Sequence, residues 1–174
     1  MVVRVRVRLK ARSSGSTVET VALANSGGDR HTSREYRILV NTVNTVETAI
    51  PASSGDRHLV IPAPLADELG LDMADAVEEL YEMASGIARV MRVPGALEIS
   101  VITDDREEGP IVADAIVMDS HEVLLSDQAI SALRIDFVDA AGGLWRFRDE
   151  PADRLRESLR PEIWVRRRGR GSIG

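Results

Sequence analysis

Thr17-Val18-Glu19-Thr20-Val21-Ala22-Leu23-Ala24 runs straight into Asn25-Ser26-Gly27-Gly28. The first part is rich in β-branched residues, which suit a pleated, half-buried surface, so it reads as a strand. The second part is its exit, because Asn and Gly tolerate left-handed backbone and Ser and Asn bond their own main chain. Upstream, Val3, Val5, Val7 and Leu9 alternate with Arg4, Arg6, Arg8 and Lys10, the period-two pattern of a strand with one buried face. Ser13-Ser14-Gly15-Ser16 between the two stretches supplies a turn, and together they predict a hairpin.

The pattern continues downstream. Leu59-Val60-Ile61-Pro62 is a short apolar strand, and Pro64-Leu65-Ala66-Asp67-Glu68-Leu69-Gly70-Leu71 is a short helix stopped at Gly70. Val77 to Met83, a turn at Ala84-Ser85-Gly86, Ile87 to Val93, and Leu97, Ile99 and Val101 at period two imply strands joined by two antiparallel turns. A charged loop is expected from Asp104 to Pro110 and a strand from Ile111 to Met118. A helix of one or two turns, Gln128 to Leu133, follows with Ser126 or Asp127 as N-cap. Ile135 to Val138 and Leu144 to Phe147 close a hairpin around Ala141-Gly142-Gly143. From Asp149 onward the chain is polar and ends in Arg166-Arg167-Arg168-Gly169-Arg170-Gly171, which predicts a mobile tail. The expected fold is mainly β with one or two short helices, in a domain over residues 1–148 and a tail over 149–174.

One segment repeats. Thr17-Val18-Glu19-Thr20 recurs as Thr45-Val46-Glu47-Thr48, and Ser26-Gly27-Gly28-Asp29-Arg30-His31 recurs one glycine shorter as Ser54-Gly55-Asp56-Arg57-His58. A solenoid needs about three copies or more, so two copies indicate a local tandem duplication or insertion near residues 28–55. Joining Gly28 to Asp56 would restore a compact strand, loop and strand.

Composition limits the function classes. The 174 residues are 44% hydrophobic and 29% charged, as in an ordinary globular domain. There are no cysteines, so no disulfide, thiolate nucleophile or cysteine-bound zinc is available; His31, His58 and His121 are scattered, and neither a metal nor a cofactor is expected. No apolar run reaches the roughly 20 residues of a membrane helix, and the start Met1-Val2-Val3-Arg4 lacks a signal peptide's apolar stretch. A cytoplasmic protein without membrane contact is the expectation. A net charge of −6 opposes a surface given over wholly to nucleic acid, although basic residues gather at both ends.

Once the duplication is set aside, Val21-Ala22-Leu23-Ala24-Asn25-Ser26-Gly27, Leu59-Val60-Ile61-Pro62 and Leu65-Ala66-Asp67-Glu68-Leu69-Gly70-Leu71 resemble a known pattern. It is that of the retropepsin-like aspartic proteases: an apolar strand, Asp-Thr/Ser-Gly, a second apolar strand and Leu-Ala-x-x-Leu-Gly-Leu. Ala84-Ser85-Gly86 is similar to the family's flap tip, Glu122-Val123-Leu124-Leu125-Ser126-Asp127 to its late hydrophobic segment ending in glycine, and Leu144-Trp145-Arg146-Phe147 to its last strand. The resemblance spans residues 2 to 148 and implies a closed β-barrel, half of an acid-protease site, completed in a homodimer.

This chain departs from the family at the position that matters most. The motif's aspartate is Asn25 in the first copy and Ser53 in the second, where Ser53-Ser54-Gly55-Asp56 stands, and the late glycine is Ser126. In the family two carboxyls share a proton, one acting as base and the other as acid on an attacking water. An amide does neither. The implied function is therefore a protease-like domain without conventional catalysis, binding an extended peptide in a dimeric cleft with Asn25, Ser26 and Gly27 as the degenerate motif. Asp29, Ala84, Ser85 and Gly86 would meet the peptide.

Alternatives remain open. Asp29 or Asp56 could serve as a displaced carboxylate in an active peptidase, deamidation could turn Asn25 into aspartate, and Ser26 or Ser53 could be a nucleophile, though without histidine and carboxylate at motif spacing. From another class, Arg4, Arg6, Arg8 and residues 166–170 could bind nucleic acid with Trp164 stacking on a base.

Overall fold

The alternating N-terminus demands a place to bury one face, and in the computed structural model, which describes residues 2–24, 57–83 and 86–166, that place is the inside of a barrel. Strand β1 (Val3–Ala11) buries Val3, Val5, Val7, Leu9 and Ala11, and β2 (Thr17–Ala24) pairs with it antiparallel. Then come β3 (His58–Pro62), α1 (Ala63–Leu69), β4 (Val77–Met83), β5 (Gly86–Ile102), β6 (Glu107–Met118) and β7 (Val123–Leu125). Helix α2 (Asp127–Ala132) and strands β8 (Ile135–Asp139), β9 (Leu144–Phe147) and β10 (Arg156–Glu157) complete the order. Hydrogen bonds run β1-β2-β7-β3-β6-β5 and return from β5 to β1, which closes six strands into a barrel and leaves them no open sheet edge. The expectation of a mainly β, closed-barrel fold with one or two short helices holds, and the helices among the described residues are two.

Both helices are cut by the residues expected to cut them. Proline stands in the first turn of α1, and Gly70 ends it at φ +60 with its N–H on the Asp67 carbonyl at 3.1 Å, a left-handed cap open to glycine at little steric cost. Ser126 caps α2 by accepting from the Ala129 N–H at 3.2 Å. Leu65, Leu69, Ala129 and Leu133 turn their apolar sides into the barrel core.

Two sequence expectations are corrected within β5 and β6. The chain does not turn between Val93 and Leu97, because β5 is one strand of 17 residues in which Pro94-Gly95-Ala96 forms an irregularity opposite β6. Gly95 takes φ +56 there and gives its N–H to Asp114 Oδ1 at 2.7 Å, so a tertiary bond absorbs what reads locally as a turn. The charged loop is also shorter than expected, since Glu107–Pro110 already belong to β6.

Gly109 sits at the second register shift of that ladder with φ +121, and a Cβ there would meet the Ile99 carbonyl oxygen at 2.8 Å. Backbone cannot move aside as a side-chain end can. Gly109→Ala should therefore cost roughly 2 to 3 kcal/mol, read as a lower urea midpoint. A midpoint equal to that of the unaltered chain would refute the close approach.

The segment after β9 is not a mobile tail over its described length. Strands β8, β9 and β10 form a separate three-stranded sheet, and residues 157–166 continue from it as a strap across the barrel. Leu159 gives its N–H to the Arg4 carbonyl at 3.0 Å, and Ser158 Oγ both donates to the Val2 carbonyl and accepts from the Arg4 N–H, each at 2.9 Å. These bonds occupy the part of β1 that lies beyond its pairing with β5.

An arginine network ties this sheet to the barrel. Arg106 pairs with Glu108 and Asp149, Arg156 with Glu150 and Asp105, and Arg154 with Asp105. The Arg106 hydrogen bond holds the Asp149 carboxyl below the usual range, and the Arg156 hydrogen bond does the same for Glu150. Because both values are lower in the folded state, the stability they add is fully present above the unfolded carboxylate pKa of about 4 and is lost as pH falls through the folded values. Melting temperature should stay level from neutral pH to about pH 5 and drop below about pH 4. Asp149→Asn should shallow that drop in circular dichroism melts; an equally steep decline in the variant would rule the network out as its source.

Candidate functional site

The singled-out residues fall mostly outside the described part of the chain. Asn25, Ser26, Gly27 and Asp29, the second copy Ser53, Ser54, Gly55 and Asp56, and Ala84 and Ser85 all lie there. What is described is the frame from which they emerge. Gly86 opens β5 opposite Met83, so residues 84–85 connect a two-stranded arm, β4 with the first half of β5.

The frame is set by β7, which lies between β2 and β3. It runs parallel to β2, with Ala24 opposite Leu125, and antiparallel to β3, with Leu59 opposite Leu125. Strand β2 thus ends at Ala24 and β3 begins at His58 on either side of one strand, and two strand spacings put those ends about 10 Å apart. An excursion that starts and ends this close can be lengthened with small entropic penalty, which fits the duplication read between residues 28 and 55.

Ser126, which stands where the resemblance calls for glycine, has structural work at this end. Its N–H donates to the His58 carbonyl at 3.2 Å, and its Oγ accepts from the His58 N–H at 3.2 Å as well as from Ala129. One hydroxyl both caps α2 and clips the start of β3. Glycine could do neither with a side chain.

Beside this end lies a buried charged group that the sequence reading missed. Asp114 on β6 is 1% exposed and accepts from Arg92 Nε at 2.9 Å and from Gly95 N, while Arg92 also contacts Glu79 Oε1 at 3.5 Å. Glu79 lies on β4, Arg92 on β5 and Asp114 on β6, so the three fasten the base of the arm to the barrel wall. Glu79 Oε2 is buried without a hydrogen-bond partner among the described residues. The signal in the sequence was Asp114 itself, a lone charge inside the apolar run Ile111-Val112-Ala113-Asp114-Ala115-Ile116, which a buried strand carries only when the charge is paired.

The cationic face of β1 is largely spoken for. Arg4 meets Glu122 at 2.7 Å, Arg8 meets Glu19 at 2.9 Å and Glu107 at 2.8 Å, and Lys10 meets Glu98 at 3.5 Å; among the described residues Arg6 has no ion pair. Trp164 packs partly buried against the core and donates its Nε1–H to Thr20 Oγ1 at 3.0 Å, which holds its ring in place. Among the described residues no group of three His, Asp or Glu side chains could hold a metal ion, and no helix is long and apolar enough to cross a membrane. In comparisons with known proteins, no family model and no curated sequence matches the chain.

Proposed function

We propose that the chain is a retropepsin-like domain that binds an extended peptide in the cleft of a homodimer and lacks conventional aspartic catalysis. The observation that carries this reading is the parallel pairing of Ala24, the residue before Asn25, with Leu125, the residue before Ser126, at one barrel end. A two-stranded arm, β4 with β5, extends the sheet beyond the barrel, as a flap over a peptide requires. Backbone hydrogen bonds from such strands hold a peptide whether or not a carboxyl follows. With an amide at Asn25 no group shares the proton needed to activate water, and loss of such acid–base help typically lowers rate by about 10² to 10⁴.

The test is cleavage of a broad peptide library from acid to neutral pH. No cleavage by the unaltered protein, and cleavage after Asn25→Asp, is the expected result. Cleavage that survives Asn25→Ala would overturn it.

A second reading, an active peptidase with a displaced carboxylate, draws on one placement. Asp56 directly precedes Arg57 in sequence, and the Arg57 carbonyl accepts from the Asp114 N–H at 2.9 Å at the barrel end where β2 finishes at Ala24. If the unaltered protein cleaves peptides, Asp56→Asn should abolish the activity. Binding of nucleic acid draws little support, because Arg4 and Arg8 are held by carboxylates and Trp164 is packed.

A further inference from the structure

We propose that the groove between α1 and the C-terminal strap is a docking site for an extended, arginine- or lysine-bearing peptide segment of a partner protein. It lies at the barrel end opposite Ala24, where β3 and β6 finish and β7 begins, and it does not depend on the reading of Asn25.

The groove combines an apolar lining with an acidic rim. Pro64, Val117, Met118 and Trp164 line it, and Ile163 and Val165 stand beside them 52% and 60% exposed, among the most exposed large apolar side chains described. Apolar side chains that gather along a groove, instead of lying scattered, are the usual mark of an interaction surface. Asp67 and Glu68 from α1 and Asp119 from the β6–β7 connection stand around it, and none of the three has an ion pair among the described residues. Among the described residues Arg166 is the one arginine on the lining, so carboxylates there outnumber guanidinium groups three to one and the charge complement of an occupant is cationic.

The wall is fixed before anything binds. Trp164 gives its N–H to the His121 carbonyl at 2.8 Å and its Nε1–H to Thr20, and Glu162 accepts from the Val21 N–H at 3.1 Å. A groove held this way loses little freedom when it is filled, which favours binding of a short segment.

Fluorescence anisotropy with two labelled octapeptides, one alternating leucine with arginine and one alternating leucine with glutamate, tests the proposal on the full chain. The arginine peptide should bind at least about tenfold more tightly than the glutamate peptide, and this preference should shrink as salt is raised. Asp67→Lys with Asp119→Lys should weaken the arginine peptide about tenfold or more, and Ile163→Ser with Val165→Ser should weaken it without changing the circular dichroism spectrum, since these four side chains are surface-facing. Equal binding of both peptides, or binding indifferent to these substitutions, would overturn the proposal. So would binding seen only after Arg167, Arg168 and Arg170 are all changed to serine, because the groove would then serve the chain's own end and not a partner.

Discussion

Asp114→Ala is expected to lower the unfolding free energy by roughly 3 to 5 kcal/mol, the range for removing one member of a buried ion pair. The physical reason is that buried donors lose their nearest acceptor. Arg92, whose side chain is 14% exposed, would lose two hydrogen bonds to Asp114 while keeping its longer 3.5 Å contact with Glu79, and the Gly95 N–H would lose its Asp114 acceptor. Total stabilities are only about 5 to 15 kcal/mol, so a loss of this size removes a large fraction. The triple variant Glu79→Gln, Arg92→Met and Asp114→Ala should recover a good part of it, because it removes all three charges together and replacement of a complete buried ionic group is often nearly neutral. Urea unfolding of the two variants decides the matter; a triple variant no more stable than Asp114→Ala would mean that lost packing, and not lost charge pairing, is the source. Hydrogen exchange in β4 should quicken in the single variant, since Arg92 joins the arm to β6.

This cluster also shows where sequence reading stops. Elements whose cause is local were legible: the alternation from Val3 to Leu9, the β-branched run from Thr17, the glycine that ends α1 and the serine that caps α2 each act through neighbours a few residues away. Pro94-Gly95 was not, because the bond that keeps β5 continuous comes from Asp114, which no local period connects to it. The strap was missed for a related reason. Ser158, Glu162 and Trp164 dock through bonds to Val2, Arg4, Thr20, Val21 and the His121 carbonyl, and such contacts leave no hydrophobic rhythm in a polar stretch. For the site, the sequence named Asn25 and its neighbours, whereas the described structure supplies their frame: the strand β7 between β2 and β3, and the serine that joins β3 to α2.

Phe147→Ala is expected to be as damaging as the loss of Asp114, and for a different reason. Its ring is fully buried and meets Trp145 edge-on at 5.3 Å between centroids, and Arg106 and Arg156 lie over it at 4.5 and 4.9 Å. Truncating a buried phenylalanine costs about 3 to 5 kcal/mol through lost transfer energy and a cavity. Each cation–π contact adds about 0.5 to 2 kcal/mol. The same two arginines hold Glu108, Asp149, Glu150 and Asp105, so the ring supports the ion-pair network that attaches the second sheet. Phe147→Leu separates the two contributions, for it keeps most of the apolar volume and removes the π face. The leucine variant should lose less stability than the alanine variant in urea unfolding and yet show the same increase in iodide quenching of Trp164, measured in a Trp145→Phe background. If the leucine variant leaves Trp164 as protected as in the unaltered chain, the arginines attach the sheet through their carboxylates alone and the ring contributes only volume.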